Sequence, residues 1–434
     1  MNRPQPIARL VTCLLLAALA SPQTLRAQGG IKDVISGTGF TKIKIAIPEP
    51  TAEGAPQATA HELAQTLRDD LAFSGYFEVL DPALYPLAAS SKETTTEQKW
   101  ASLGAAAVVD GKVVVTGGRV DYRARLANTN PATTLFNRRY GGPTDLARRV
   151  AHQVADDVVQ QLTGQPGIAL TWIAFVSKHE KGKEVYMMDY DGQRVRRITS
   201  TGSISLMPTW SPVAQRLAYM SWRTGPPSID ILEADGRISR APTAGGTMNI
   251  SPDWSPDGRK IVYASNASGN SEIYVLDISS GKSSRLTNSP AIDTSPSYSP
   301  RGREIAFTSD RSGAPQIYVM DAEGLNPRRL TTGDEYADAA AWSPKGDKIA
   351  YASRRDGKLD IVLVDVATGA TTKLTHAEGS NENPRWSADG RHIVFASNRL
   401  GSFDIYTMRV DGSDVKRLTQ GGDCFTPDWS RHLP

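Results

Sequence analysis

The sequence predicts a multidomain protein: a small α/β domain followed by a six-bladed all-β propeller closed by its own C-terminal strand. Three observations lead there. A phrase of the type "SPDWSPDGRKIVYASNASGNSEIYVLD" (Ser251 to Asp277) recurs down the chain at a fixed interval. The region before residue 166 lacks that repeat and reads as mixed helix and strand. Two incomplete units, one opening and one ending the repetitive region, complement each other.

The N-terminus is read as an export signal. Arg3 and Arg9 precede the apolar run Leu10 to Ala20, which contains 11 residues. A membrane-spanning helix needs about 20. "SPQTLRAQGG" follows, so residues 1–27 read as a signal peptide cleaved after Ala27, or after Ala20. The formal net charge of the 434-residue chain is +3, and removing residues 1–27, with three Arg and no acid, brings it to 0. The basicity therefore resides in the export signal, which removes the compositional case for nucleic acid. No later stretch has membrane-spanning length, so the mature chain is expected to be an exported monomer, peripheral to membranes. Cys424 is left alone after processing, which precludes an intramolecular disulfide.

Residues 28–165 are assigned to the α/β domain, with an extended segment at 28–37. "TKIKIAIPEP" alternates like a strand. "AHELAQTLRDDLAFSG" spaces Leu63, Leu67 and Leu71 four apart, a helical face that stops near Gly75. "YFEVLDP" and "AAAVVDGKVVVTGG" read as strands. A second helix is expected with Thr144 as N-cap, with Leu146, Val150, Val154, Val158 and Leu162 along one face, and with Gly164 as stop. "TGQPG" (Thr163 to Gly167) is the junction.

Residues 166–434 are assigned to the propeller. The recurring aromatics are Trp210, Trp254, Tyr298, Trp342, Trp386 and Trp429, separated by 44 residues four times and then by 43. Such a period marks one supersecondary unit used repeatedly. Within a unit, "KIVYAS" and "EIYVLD" have strand composition. Pro256, Asp257 and Gly258 make the turn between the aromatic strand and the next. "SRLT", "RRLT", "TKLT" and "KRLT" supply a short outer strand. Its basic residues (Arg196, Arg197, Arg285, Arg329, Lys373, Arg417) are expected at the outer rim, where charge discourages edge pairing. One blade cannot bury both faces, whereas a ring of blades can. Residues 168–199 lack the aromatic strand, and "TPDWS" (Thr426 to Ser430) supplies it with nothing after it. Joining the two closes a ring of six.

Catalytic patterns are sparse. "HELAQ" (His61 to Gln65) lacks the second His of a zinc helix. The six His residues have no paired ligand spacing, so no metal and no cofactor are expected. No G-x-S-x-G, P-loop or G-x-G-x-x-G occurs, and no hydrolase domain is expected after Ser430. Asp69/Asp70 and Asp156/Asp157 read as solvated helix faces. The chain is expected not to be an enzyme. The alternatives are a propeller lyase or hydrolase with a channel site, and a carbohydrate-binding module.

Shape remains. The segments "SISLM", "GTMNI", "AIDTS", "EYADA" and "GSNEN" before each aromatic strand differ while their framework repeats, and they read as loops around one mouth of the propeller. Met207, Met248, Ile250 and Tyr336 offer apolar anchors there; Asp293, Glu335, Asp338 and Glu382 offer negative charge.

The whole chain, with its "P-x-W-S-P-D-G … Y-x-x-D … L-T" repeats, the terminal "PDWS", and the fragments "WASLGAAAVVDGKV" and "DYDGQRVRRIT", resembles the TolB family, the periplasmic component of the Tol–Pal system of Gram-negative bacteria. The resemblance implies a non-enzymatic periplasmic adaptor that supports outer-membrane integrity and invagination during division. It implies that the peptidoglycan-associated lipoprotein Pal docks at the propeller mouth. By position, that docking falls on Met207, Met248, Asn249, Ser251, Asp293, Thr294, Ser295 and Tyr336. It also implies that TolA engages the N-terminal segment, here Ile31, Lys32, Asp33, Val34 and Ile35, by strand addition. Other periplasmic or outer-membrane proteins are possible partners.

Overall fold

In the computed structural model, residues 41–86, 95–180, 182–354 and 357–432 are described. The export signal, the segment 28–37 and Ile31 to Ile35 lie outside them.

The N-terminal sheet is mixed. The strand Ile43–Ala46 pairs in parallel with Phe77–Val79 on one side and with Ala107–Thr116 on the other. Ala107–Thr116, Arg119–Thr129 and Ala132–Pro143 then run as an antiparallel meander. The helices Gln57–Ser74 and Ala147–Thr163 pack on each other, burying Leu63, Leu67, Leu71, Val150, Val154, Val158 and Leu162. Gly75 and Gly164 end them in left-handed conformations, φ 75° and 72°, which glycine adopts without a Cβ clash. Thr144 is not the N-cap: it opens a short 3₁₀ turn, Thr144–Leu146, and its hydroxyl donates to the Gly118 carbonyl at 3.1 Å. A further helix, Thr96–Ser102, starts at a capping box in which Thr95 and Gln98 satisfy each other's backbone N–H groups. None of the described helices is long and apolar enough to cross a membrane.

The propeller comprises six four-stranded antiparallel sheets. We number as blade 1 the sheet spanning 205–240, followed by blades 2 (249–285), 3 (293–329), 4 (336–373) and 5 (381–417). Blade 6 pairs the C-terminal strand Cys424–Trp429 with Trp172–His179, Gly182–Asp189 and Arg196–Arg197. Phe425 faces Val176 and Trp429 faces Ile173 in that ladder. Two further bonds, Ser430 N to the Trp172 carbonyl and Trp172 N to Ser430 Oγ, each 2.8 Å, lock its end.

Each recurrent motif has a structural task. In the Ser-Pro-Asp-Gly turn, Gly258 N donates to the Ser255 carbonyl at 2.8 Å with Gly258 at φ 67°, and Asp257 accepts from Ser255 Oγ and Arg259 N. The aromatic packs between neighbouring blades: Trp254 lies with Ala218 and Ile229 of blade 1 and Tyr263 of blade 2. Its indole N–H reaches back to the Thr209 carbonyl at 3.2 Å, and Trp386 does the same to Ala341 at 2.9 Å. The Thr of the "L-T" phrase anchors a buried polar group at the start of the third strand. Thr287 donates to Glu272, Thr375 to Asp360 and Thr419 to Asp404, at 2.6, 2.7 and 2.8 Å. The outer basic residues are exposed, and three of them reach inward: Arg285 pairs with Glu272, Lys373 with Asp360 and Arg417 with Asp404.

The α/β region packs on the propeller through buried polar groups. Asp70 and Asp156 are therefore not solvated, contrary to the sequence expectation. Asp70 is bonded to His152 at 2.7 Å and accepts from the propeller's Tyr190 hydroxyl at 2.5 Å. Asp156 accepts from the backbone N–H groups of Ala169 and Leu170. Helix periodicity hides this, because the covering groups, Tyr190 and the backbone at Ala169 and Leu170, come from outside either helix. Phe73 stacks on His392 with ring centroids 4.2 Å apart.

Blade 6 holds the ring through strand pairing rather than covalent linkage. Deleting residues 424–434 leaves Trp172–His179 without its inner partner. The truncated protein is expected to lose the cooperative unfolding transition of the full chain in a circular-dichroism melt; an unchanged transition would show that closure is dispensable.

Candidate binding mouth

The innermost strand of every blade carries the same defect. Pairing with the second strand breaks between Leu206 and Thr209, Ile250 and Asp253, Thr294 and Ser297, Asp338 and Ala341, Glu382 and Arg385, and Phe425 and Asp428. At each break one non-glycine residue adopts positive φ: Met207 51°, Ser251 52°, Ser295 49°, Ala339 57°, Asn383 53° and Thr426 42°. A proline follows in five blades, and Ala340 in blade 4. Proline lacks an N–H, so the bulge withdraws no donor from the ladder. Left-handed backbone at a non-glycine residue is a local strain, tolerated where the surroundings impose it. Here the flanking ladders impose it six times.

These residues, with Pro208, Pro252, Pro296 and Pro427, line the mouth of the central channel. The segments anticipated as loops thus end in bulged strands: their final residues belong to the innermost ladder. Of the sequence-predicted residues, Met207, Ser251 and Ser295 line the mouth, and Met207 Sδ lies 3.2 Å from Ser251 Oγ. Met248, Thr294 and Tyr336 are half-buried and are not part of its lining, and the Tyr336 hydroxyl donates to Asp338 at 2.8 Å. Asn249 and Asp293 are buried instead of offered to a partner. Asn249 donates to the Gly245 carbonyl, and Asp293 binds Arg311 at 2.8 Å. They start the strand, where alternation turns the side chain into the blade.

Sequence reasoning missed Asn383, Thr426 and Arg385. The signal was present. Asn383 and Thr426 stand three residues before their aromatics, as Met207, Ser251 and Ser295 do. Arg385 occupies the x of Pro-x-Trp, and the x positions Thr209, Asp253, Ser297, Ala341, Arg385 and Asp428 line a second cavity of about 130 Å³ deeper in the channel.

Two carboxylates there tie blade to blade. Asp428 accepts from Trp210 N of blade 1 at 2.7 Å, and Asp253 accepts from Tyr298 N of blade 3 at 2.8 Å. Arg385 Nε lies 3.2 Å from Asp428. Burial raises the pKa of Asp253, and burial pushes Asp428 up to about 7 despite Arg385. Among the described residues, no three His, Cys, Asp or Glu side chains converge as a metal site. The arrangement is a bulged rim above a polar channel.

Comparison with known proteins gives the following. A family model described as the TolB beta propeller domain matches residues 159–354 and 334–432, and one described as the TolB amino-terminal domain matches residues 34–135. A protein TolB homolog of Chlorobium luteolum is 34% identical over 229 residues, covering 51% of this chain and 52% of the relative. A Tol-Pal system protein TolB of Desulfosudis oleivorans is 35% identical over 234 residues, covering 51% of each. The chain thus spans about half the length of these curated relatives in the matched regions. The crystal structure of TolB from Acinetobacter baumannii superimposes with a TM-score of 0.77 at 27% identity, covering 90% of this chain and 97% of that one.

Asp428 makes stability depend on pH. Its native pKa lies above the ordinary carboxylate value of 3.8, so folding takes up a proton between about 4 and 7. Its favourable contribution is present below the ordinary value and is lost as pH rises through about 7. The variant Asp428→Asn is expected to gain on the wild type in urea-unfolding midpoint between pH 5 and pH 8. A pH-independent difference would contradict the assignment.

Proposed function

Because this chain belongs to the TolB family, we propose that it acts as a periplasmic adaptor of the Tol–Pal system, taking Pal at the propeller mouth and TolA through its N-terminal segment. The observation that carries this reading is the rim: six left-handed residues at equivalent positions, three of which are Met207, Ser251 and Ser295. Rigid framework with varied side chains at one opening suits recognition of a folded partner, because little ordering cost attends docking. Export through residues 1–27 would place the protein in the periplasm. The role is then to link the outer membrane to the inner membrane and to support outer-membrane integrity and invagination at division.

Segment 28–37 would meet TolA by strand addition, with Ile31, Val34 and Ile35 as apolar contacts and Lys32 and Asp33 setting polarity. Met248, Asn249, Asp293, Thr294 and Tyr336 act in this reading as supports and flanks of the rim.

Two measurements test the reading. Met207→Glu and Met248→Glu are each expected to weaken binding of the soluble Pal domain at least about tenfold in titration calorimetry, as burying an unpaired charge does. Unchanged affinity for both would remove the mouth from consideration. Deleting residues 28–37 is expected to abolish capture of TolA while leaving Pal affinity intact; retained capture would place TolA elsewhere.

A further inference from the structure

Arg385 stands where the mouth meets the deeper channel, and it lines both cavities. The equivalent positions of the other blades carry Thr209, Asp253, Ser297, Ala341 and Asp428, so the ring has one cation among neutral and acidic groups. Its Nε side faces Asp428 at 3.2 Å. Nη1 makes a long contact of 3.5 Å to the Ala340 carbonyl, and Nη2 has no hydrogen-bond partner among the described residues. The side chain is 27% exposed at the base of the mouth.

The two nearby carboxylates are already engaged by other donors. Asp428 takes the Trp210 N–H, and Asp253 takes the Tyr298 N–H and the Thr209 hydroxyl. Burial disfavours the charged form of both. Arg431 adds a second cation beside the deeper cavity. Above Arg385 the wall is Met207, Ala339, Ala340 and prolines, interrupted by Ser251, Ser295, Asn383 and Thr426. The Thr426 hydroxyl is buried without a partner. The mouth cavity is about 40 Å³, room for two or three water molecules and on the scale of a carboxyl group.

We propose that the mouth is an anion-reading socket: a single acidic side chain projecting from the docked lipoprotein enters it, and its carboxylate binds the free guanidinium edge of Arg385. The inference rests on Pal docking at the mouth and adds the chemistry that Pal must present there. Partial desolvation at the base of the mouth strengthens such a charge-assisted contact relative to one in open water.

The test uses the mature full-length chain and the soluble Pal domain. Arg385→Gln is expected to weaken binding between about 10- and 100-fold, the range for a lost charge-assisted hydrogen bond, and to flatten the salt dependence. Arg385→Lys is expected to recover part of it. On the partner, each surface Asp or Glu is changed to its amide. One such change is expected to weaken binding to the wild type and to have no further effect on Arg385→Gln. A folded Arg385→Gln protein that binds like the wild type overturns the proposal. So does a partner scan in which no single carboxylate matters, and that arm decides the case even if Arg385→Gln fails to fold. Loss of binding in Met207→Glu with none in Arg385→Gln would sink the socket and spare the docking site; no loss in Met207→Glu or Met248→Glu would sink the docking site itself.

Discussion

The antiparallel ladder between Cys424–Trp429 and Trp172–His179 is the constraint on which the rest depends. Without it, blade 6 would lack its innermost strand and blades 1 and 5 would each expose an apolar face. With it, every blade has two neighbours. The aromatic of one innermost strand then reaches the backbone of the preceding blade, as Trp254 reaches Thr209 and Trp386 reaches Ala341. Ring geometry follows from these repeated contacts, and mouth geometry follows from the ring. Strand pairing contributes directional hydrogen bonds and the aromatics contribute buried area; neither specifies six blades without the other.

The polar content of the propeller is organised for the same end. Buried acids at the third strand are anchored by the Thr of the outer phrase and answered by an outer Arg or Lys, as in Glu272, Thr287 and Arg285. Removing one member leaves a buried charge without its partner, which costs more than the intact group contributes. Near the channel, Asp253 and Asp428 replace missing ladder partners by accepting a backbone N–H from the next blade. The repeat is therefore a hydrogen-bonding unit as much as a hydrophobic one.

Much of this was legible in the sequence. The 44-residue period, the Ser-Pro-Asp-Gly turn and the complementary fragments led to a closed ring, because each reflects local chemistry that repeats. The helices of the α/β region were legible from Leu and Val spacing. The capping box at Thr95 was legible too and was overlooked. What escaped was non-local. Asp70 and Asp156 look solvated on their helices and are buried only because Tyr190 and the backbone at Ala169 close over them. Asn249 and Asp293 were misplaced by one step of strand alternation, the smallest error a pleated strand permits and one that carries a side chain to the other face. The bulge could not be read because positive φ at Met or Ser has no compositional signature; only the fixed offset from the aromatic betrays it.

The bulged rim has a consequence for how this protein can diverge. The flanking ladders dictate the backbone, so the six stations hold Met, Ser, Ala, Asn and Thr alike in the left-handed region. Under the proposed docking role, substitutions there would alter what the opening recognises while the ladders beneath stay put. A lineage could retune its ligand preference one station at a time, like resetting the pins of a lock whose barrel never changes.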